Sequence, residues 1–302
     1  MTPDDARRTG LVAGVTAYVL WGLLPLFWTL LKAAGPLEIL AERIVWSFVS
    51  VVIALLVLRR SWRWVPGVFT RVNFPRLAAA AVLIAVNWLT YIFAVNNGHV
   101  VEASLGYFIN PLVNVVFGVL LFGERLGTGG RIGGLLALAG VAVIAWGSWS
   151  TLWISLALAA SFGLYGVAKK KAHLPALEGL AVESGFLLVP SVAYVAWLAA
   201  HGMGQFGLTA SMTTLLVLTG PITALPLWLF AIAAPRLPFG VVGVLQYLAP
   251  TIQFLMGVLV FGEHVTPAYW AGLVLVWAGS AVYLTTTLRP ARASRVVSRH
   301  RA

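Results

Sequence analysis

The sequence predicts an all-α membrane protein of ten transmembrane helices, arranged as two inverted repeats of five helices each. Three observations predict this fold: an apolar composition, the distribution of Lys and Arg, and an internal repeat. The chain of 302 residues is 60% hydrophobic and only 10% charged, whereas soluble domains typically carry about 25% charged residues. Because so few charges cannot cover a protein surface, the solvent of this chain must be largely lipid.

Ten apolar stretches are long enough to approach the roughly 20 helical residues that cross a hydrocarbon core. They cover 11–31, 38–58, 77–96, 103–122, 131–147, 151–168, 177–199, 211–232, 241–261 and 266–287. The first stretch is too long for the apolar core of a signal peptide, which has about 7–15 residues. The connecting segments are short, so we expect no soluble domain between the spans.

Basic residues gather on one side of this predicted topology. With the N-terminus in the cytoplasm, 18 of the 20 Lys and Arg residues fall in cytoplasmic segments, while Lys32 lies in an outer loop and Arg43 inside a span. Loops rich in Lys and Arg stay on the cytoplasmic side of membrane proteins. We therefore predict a multi-pass protein of the plasma (inner) membrane with both termini in the cytoplasm.

The basic segment 59–76 also carries the aromatic residues Trp62, Trp64, Phe69 and Phe74. Mixed basic and aromatic residues also occur in sites for single-stranded nucleic acid. Beside two spans, however, they favour contact with anionic lipid, at about 1 kcal/mol per basic residue. We expect anionic headgroups at the basic cytoplasmic segments and no nucleic-acid partner; the sequence leaves the oligomeric state open.

Two parts of the chain repeat each other. Phe122-Gly123-Glu124 recurs as Phe261-Gly262-Glu263, at an offset of 139 residues. Leu-Glu-Ile-Leu-Ala at 37–41 matches Leu-Glu-Gly-Leu-Ala at 177–181, at an offset of 140 residues. The repeated unit therefore holds five spans, and because five is odd, its second copy must enter the membrane from the opposite face.

This repeat sets the predicted domain organisation. We predict a first five-helix repeat over residues 1–147 and a second, inverted one, with a basic C-terminal tail, over residues 148–302. Inverted repeats related by an axis in the membrane plane are typical of transporters, in which two similar gates flank a site near the midplane. A duplicated membrane protein without a transport role is the alternative.

Polar side chains inside the spans indicate where a substrate path lies, because in lipid they must face protein or a wet cavity. Arg43 in the second span and its repeat mate Glu183 in the seventh are the charged candidates. We expect them to face a polar cavity, to pair there, or to contact a charge on the substrate. The alternative is that each side chain reaches its own membrane interface separately.

The other candidates are polar or aromatic residues of the third, fourth, eighth and ninth spans. They are Asn87, Trp88, Tyr91, Tyr107, Asn110, Asn114, Trp228, Gln246 and Gln253. Pro111 and Pro250 each remove a backbone donor, so we expect them to kink their helices and to act as hinges. For each polar residue the alternative is an ordinary interhelical hydrogen bond, worth about 0.6 kcal/mol.

The residues that membrane enzymes and ATP-driven pumps need are missing from the predicted spans. The chain has no Cys, and its five His residues lie at helix ends, in loops or in tails. It also lacks a Gly-rich loop followed by Lys that would bind a nucleotide phosphate. We therefore expect no catalytic residues, no metal site and no cofactor.

Four segments carry a resemblance to a known family. They are Leu-Glu-Ile-Leu-Ala-Glu-Arg-Ile-Val-Trp-Ser at 37–47, Asn87-Trp88, Val-Asn-Asn-Gly-His-Val-Val-Glu-Ala-Ser-Leu-Gly-Tyr-Phe-Ile-Asn-Pro-Leu at 95–112, and Gly-Glu-Arg-Leu at 123–126. They resemble the EamA-type branch of the drug/metabolite transporter superfamily and, within it, the RarD family. In one departure, RarD proteins usually have His before the Arg of the second helix, where this chain has Glu42.

The resemblance implies a ten-helix carrier of metabolites or drugs in the plasma membrane. We therefore expect alternating-access transport of a small organic molecule, with export implied by the resemblance. Proton coupling stays open, with Glu183 and then Glu42 as candidates. A flippase for lipid-linked precursors and an assembly subunit that transports nothing are the alternatives, and the sequence does not identify the substrate.

Overall fold

The computed structural model describes residues 3–122, 127–170 and 174–299, and in these ranges the regular secondary structure is helical. Eleven α-helices follow one another along the described chain. They are α1 (Pro3–Leu30), α2 (Pro36–Val57), α3 (Val65–Val68), α4 (Asn73–Asn96), α5 (Val100–Phe122), α6 (Thr128–Lys170), α7 (Ala176–Ala200), α8 (Ala210–Ala233), α9 (Phe239–Leu245), α10 (Leu248–Leu259) and α11 (Pro267–Arg299).

The helices have the length and composition of membrane spans. Within the described residues, eight helical stretches are long and apolar enough to cross a membrane, and α5 adds the shorter apolar stretch Val100–Val113. Many of their large apolar side chains are exposed on the outside of the bundle, as expected when the solvent is lipid. The chain is therefore a multi-pass membrane protein, as the composition predicts.

Glycines with positive φ form two of the tight turns between spans. Gly35, between α1 and α2, has φ of 72°, and Gly98, between α4 and α5, has φ of 75°. Residues with a Cβ rarely adopt this conformation. Pro36 then occupies the first position of α2, where its missing N–H costs nothing.

The first half of α6 packs against α11 through glycines. Gly133 lies against the backbone of Gly279, and Gly140 lies against the backbone of Gly272. The residue numbers of the contacting glycines rise along α6 and fall along α11, so this half of α6 runs antiparallel to α11. The absence of side chains lets the two backbones touch.

The second half of α6 runs in the other direction. α5 is parallel to α11, because Tyr269 donates a hydrogen bond to the carbonyl of Val101 and Trp277 packs on Phe108. Gly106 of α5 in turn lies against Ser155 of α6, and Gly163 of α6 lies farther along α5, against Val113 and Phe117. This half is thus parallel to α5 and to α11, so the chain turns back near the middle of α6.

An interruption after α9 falls where a proline removes a hydrogen bond. Pro250 has no N–H to donate to the carbonyl of Gln246, four residues earlier. The helix stops at Leu245 and resumes at Leu248, so the predicted span 241–261 consists of α9 and α10. Pro111, in contrast, lies inside the continuous helix α5.

Two carboxylates connect loops to helix N-termini at one end of the bundle. Glu38 accepts hydrogen bonds from the backbone N–H groups of Gln205 and Phe206. Glu263 accepts 2.7 Å bonds from the N–H groups of Val100 and Val101, which open α5. Burial raises the pKa of the Glu263 carboxyl, and these two donors oppose that shift. We call this end the Glu38 face and the opposite end, where α6 reaches Lys169, the Lys169 face.

The glycine contact between α6 and α11 gives a matched pair of substitutions. A Cβ on Gly140 would lie 2.5 Å from the carbonyl oxygen of Gly272, whereas a Cβ on Gly134 would meet nothing within 4 Å. We expect Gly140→Ala to destabilise the protein by about 1–3 kcal/mol, the usual cost of overpacking. Gly134→Ala should have little effect. Equal melting temperatures for the two purified variants would contradict the close contact.

Candidate functional site

A close contact between α2 and α8 builds the first part of the site. Gly220 of α8 lies against the backbone of Trp46 in α2, at a spacing that no Cβ permits. This contact brings Thr223, one turn further along α8, next to the side chain of Arg43. Thr223 donates its hydroxyl hydrogen to the carbonyl of Thr219 at 2.8 Å, so a lone pair of its oxygen remains for Arg43.

Two indole rings enclose the Arg43 guanidinium. Its Cζ lies 3.9 Å from the centre of the Trp88 ring and 4.8 Å from that of Trp28, which are cation–π distances. Its Nε donates a 3.0 Å hydrogen bond to the Thr223 hydroxyl. The side chain is only 5% exposed, so a ligand reaches it only after the surrounding helices separate.

The Arg43 cluster, which we define as Arg43, Trp28, Trp88, Tyr91 and Thr223, contains polar groups without partners. Among the described residues, Arg43 donates a hydrogen bond only to Thr223 and has no carboxylate within salt-bridge distance. The buried Tyr91 hydroxyl has no hydrogen-bond partner in the described part of the chain. Since buried polar groups are normally satisfied, this cluster is incomplete without a further group.

Asn87 links three helices beside this cluster. Its amide nitrogen donates to the carbonyl of Leu158 at 3.0 Å and to the hydroxyl of Ser161 at 3.1 Å. Its amide oxygen accepts from the Tyr107 hydroxyl at 3.1 Å. Tyr107 packs edge-to-face on Tyr91, with ring centres 5.7 Å apart. Asn87 is thus fully used in joining α4, α5 and α6, which is the ordinary structural role considered for it.

A second charged cluster lies near the Lys169 face. Glu183 is 3% exposed and forms a 2.8 Å ion pair with Lys169 at the end of α6. Tyr165 donates a 3.0 Å hydrogen bond to the same carboxylate oxygen. Gly179 lies one turn before Glu183, and a Cβ there would lie 2.7 Å from the Lys169 ammonium. The absence of a side chain at Gly179 therefore makes room for the ion pair.

Arg43 and Glu183 do not form the pair that the repeat suggests. Each is the eighth residue of its helix, but α2 and α7 run antiparallel, with Phe48 packed against Gly185 and Leu55 clustered with Leu177. Because the two helices run in opposite directions, their eighth residues lie toward opposite ends of the pair. Arg43 and Glu183 are thus separated by about 10 Å along the helix axes, at 1.5 Å per residue. Arg43 is therefore nearer the Glu38 face, and Glu183 bonds to Lys169 instead.

The remaining sequence candidates are distributed over several contacts. Gln253 of α10 donates to the carbonyl of Trp21 in α1 at 3.0 Å. Asn110 is buried, and its amide oxygen has no partner among the described residues. Gln246 lies at the interruption between α9 and α10, and Trp228 is 37% exposed on α8. The side chain of Asn114 lies outside the part of the chain that the structure describes.

Sequence reasoning missed four members of the two clusters: Trp28, Thr223, Lys169 and Tyr165. Thr223 had a signal, because it is the polar residue between the two prolines Pro221 and Pro226 inside a predicted span. Lys169 was counted only as one of the basic residues that set the orientation. Trp28 is one of 13 Trp residues, and nothing in the sequence distinguishes it. No three His, Asp or Glu side chains of the described residues lie close enough together to share a metal ion.

Similarity to known proteins identifies the family of this chain. The EamA-like transporter family matches residues 8–146. "Protein RarD" of Streptomyces exfoliatus is 48% identical over 297 residues, covering 98% of this chain and 94% of that protein. The chain belongs to the RarD family of EamA-type transporters. The "Uncharacterized transporter YojE" of Bacillus subtilis, 38% identical over 291 residues, covers 95% of this chain and is itself covered to 97%.

Membership of the RarD family confirms the resemblance predicted from 37–47 and 95–112. The matching family model and the Bacillus subtilis relative are both named as transporters. A solved crystal structure of a protein with 22% identity covers 92% of this chain, is itself covered to 97%, and has a TM-score of 0.59. At that identity it supports the fold alone. The chain is thus a membrane transporter of unspecified substrate.

The Glu183–Lys169 pair can be tested by exchanging its charges. Breaking a buried ion pair typically costs about 3–5 kcal/mol, so Lys169→Glu and Glu183→Lys should each lower the melting temperature and the yield of folded protein. The double exchange should recover part of both, as measured by size-exclusion chromatography and thermal unfolding in detergent. The exchange of Arg43 with Glu183 is the control and should recover neither. The opposite result would place Glu183 against Arg43.

Proposed function

We propose that this protein moves a small organic solute across the inner membrane by alternating access, in the export direction, between two inverted repeats of five helices. The contact between α6 and α11 carries this proposal. At the offset of 139, Gly133 corresponds to Gly272 and Gly140 corresponds to Gly279. Exchanging the two repeats therefore converts the Gly133–Gly279 contact into the Gly140–Gly272 contact, and both contacts are present.

A two-fold axis accounts for this exchange. The two helices are antiparallel, so an axis that interchanges them is perpendicular to them and lies in the plane of the membrane. Such an axis is the symmetry of inverted-repeat transporters. Other helix contacts also occur in corresponding pairs. The packing of α1 on α8 corresponds to that of α4 on the second half of α6, where Asn87 bonds to Leu158. The packing of α1 on α10 corresponds to that of α5 on the same half, where Gly106 lies against Ser155.

The turn within α6 supports the proposed count of ten crossings. Two antiparallel halves account for the predicted spans 131–147 and 151–168, while α9 and α10 together account for 241–261. In this proposal the Lys169 face is cytoplasmic, because the basic segment 59–76 and the basic end of α6 both adjoin it. Anionic headgroups would then contact this face.

The proposal includes proton coupling, for which two buried carboxylates are candidates. Glu183 is held by Lys169, and protonation would break that ion pair and loosen the contact between α6 and α7. Glu42 accepts a 2.8 Å hydrogen bond from the indole N–H of Trp46, while its other oxygen has no partner among the described residues. Glu183 is the stronger candidate, because its protonation would break a contact between two helices, whereas Glu42 bonds to Trp46 within α2.

One observation favours the second candidate function, a flippase for lipid-linked precursors. A groove of about 240 Å³ lies between α2 and α7, and it is lined by Glu42, Trp46, Val192 and Phe206 among others. Val192 is among the exposed apolar residues, so the groove opens toward the lipid. A lipid headgroup could enter sideways there, which a carrier of water-soluble molecules does not require.

The inverted arrangement can be tested by labelling, because the chain has no Cys. Thr128→Cys and His264→Cys place single thiols at exposed positions just after the two Phe-Gly-Glu triplets. We expect an impermeant maleimide to label His264→Cys in intact cells, and Thr128→Cys only after the membrane is permeabilised. Labelling of both positions from the same side would rule out the inverted repeat.

Transport itself can be tested in proteoliposomes with a panel of metabolites, drugs and lipid-linked precursors, with and without a pH gradient. We expect flux of a small organic solute that the gradient accelerates and that Glu183→Gln makes insensitive to the gradient. Asp4→Asn, which removes an exposed carboxylate, is the matched control and should behave as wild type. Turnover of the lipids alone would favour the flippase, and no flux at all would favour an assembly subunit.

A further inference from the structure

The Arg43 cluster has an excess of positive charge and of hydrogen-bond donors. A guanidinium stays protonated and presents its donors along one plane. In this structure its Nε is used by Thr223, and two indole rings lie over the group. The terminal Nη groups donate no hydrogen bond to any described residue. An unpaired buried charge is costly, so the cluster is built for a group that arrives from outside.

The nearby acidic residue does not supply that group. Glu42 directly precedes Arg43, but its carboxylate turns to Trp46 in the same helix. Glu183 is bound to Lys169 near the opposite face, and Glu38 and Glu263 are used by backbone N–H groups. No carboxylate of the described residues lies within salt-bridge distance of Arg43, which leaves a ligand as the source of the counter-charge in this inference.

The phenol of Tyr91 adds a second donor to the same place. Tyr91 is 3% exposed, and its hydroxyl has no hydrogen-bond partner among the described residues. Tyr91 lies one helical turn after Trp88 in α4, whose indole ring is 3.9 Å from the Arg43 Cζ, and its ring packs on that of Tyr107. The Tyr107 hydroxyl is already donated to Asn87, so the Tyr91 hydroxyl is the one available to a ligand.

The surroundings limit the ligand to one negative charge and an apolar body. Trp28 and Tyr91 belong to an apolar cluster with Leu24, Ile44 and Ile92, and Trp88 packs against it. A single guanidinium balances one negative charge, and a carboxylate carries one charge and accepts two parallel hydrogen bonds from a guanidinium. The Nη groups of Arg43, which donate to no described residue, are the donors available for such a pairing.

We infer that the Arg43 cluster binds the carboxylate of a small apolar organic acid, with the Nη groups of Arg43 and the Tyr91 hydroxyl as donors. This inference rests on the proposed transport function and names the substrate class for it. The acid would enter when α2, α4 and α8 separate at one face. Its charge would satisfy Arg43 and the Tyr91 hydroxyl, so closure around the bound acid is favoured over closure around an empty site.

Binding can be measured with probes that differ only in charge. Phenylacetate, indole-3-acetate and octanoate form the acid set, with the corresponding amides as neutral controls and phenethylammonium as a cation; inorganic phosphate is a separate arm. Full-length protein in nanodiscs is titrated by calorimetry, and its melting temperature is measured at each ligand concentration, because a ligand of the folded state raises it. We expect at least one acid to bind about tenfold or more tightly than its amide.

Three variants separate ligand contact from structure. Tyr91→Phe removes a hydroxyl that has no described partner, so the empty protein should keep its melting temperature while the affinity for the acid falls several-fold. Arg43→Lys keeps the charge but loses the planar fork, and should weaken the acid about tenfold. Lys32→Gln removes an exposed cation near the Glu38 face and should leave the affinity within about twofold.

The outcomes distinguish this inference from the transport proposal. Binding of an acid that Tyr91→Phe and Arg43→Lys weaken, without flux in proteoliposomes, supports the site and contradicts transport. Flux of a neutral or cationic solute that these variants do not change supports transport and overturns the site. The site is also overturned if no acid binds more tightly than its amide, or if phosphate binds more tightly than every acid.

Discussion

A charge inside an apolar helix bundle requires a partner, and the arrangement of these helices follows from that requirement. Glu183 meets Lys169 across α6 and α7, and Gly179 leaves the space for it. Glu263 accepts the first N–H groups of α5, which have no partners within the helix. Arg43 differs from these groups, because tryptophan rings and one threonine surround it instead of a carboxylate. Among the described residues the Glu183–Lys169 pair joins two helices, whereas Arg43 has no carboxylate partner, which is why we propose the ligand site there.

Small residues allow the helices to pack closely enough for these polar contacts to form. Gly220 allows α8 to touch the backbone of α2, and that contact sets Thr223 beside Arg43. Gly133 and Gly140 allow the same approach between α6 and α11. In lipid, helices associate through close van der Waals packing, because no hydrophobic force drives them together. The glycines therefore determine which helices lie near enough for polar side chains to contact one another, and the two-fold relation that we propose among them is one that an alternating-access carrier would use.

The described helices agree with the predicted spans because hydropathy is a local property that adds up along the chain. α2, α4, α7 and α8 lie within a few residues of the apolar stretches 38–58, 77–96, 177–199 and 211–232. The interruption before Pro250 was also predictable in kind, since proline removes a defined hydrogen bond. Its effect in α5 was not: Pro111 stays inside a continuous helix, and only the packing around each proline decides between a break and a tolerated residue.

The sequence by itself determined that this chain spans a membrane several times and that it belongs to the RarD family, because composition and motif order need no knowledge of contacts. It also selected Arg43, Trp88 and Tyr91, since polar and aromatic residues in a span need an explanation. Only the tertiary structure decided that Glu183 bonds to Lys169 and that Trp28 and Thr223 complete the Arg43 cluster. The physical reason is that the partner of a side chain depends on which helices pack together, in which direction and at which depth. The local sequence does not determine any of these.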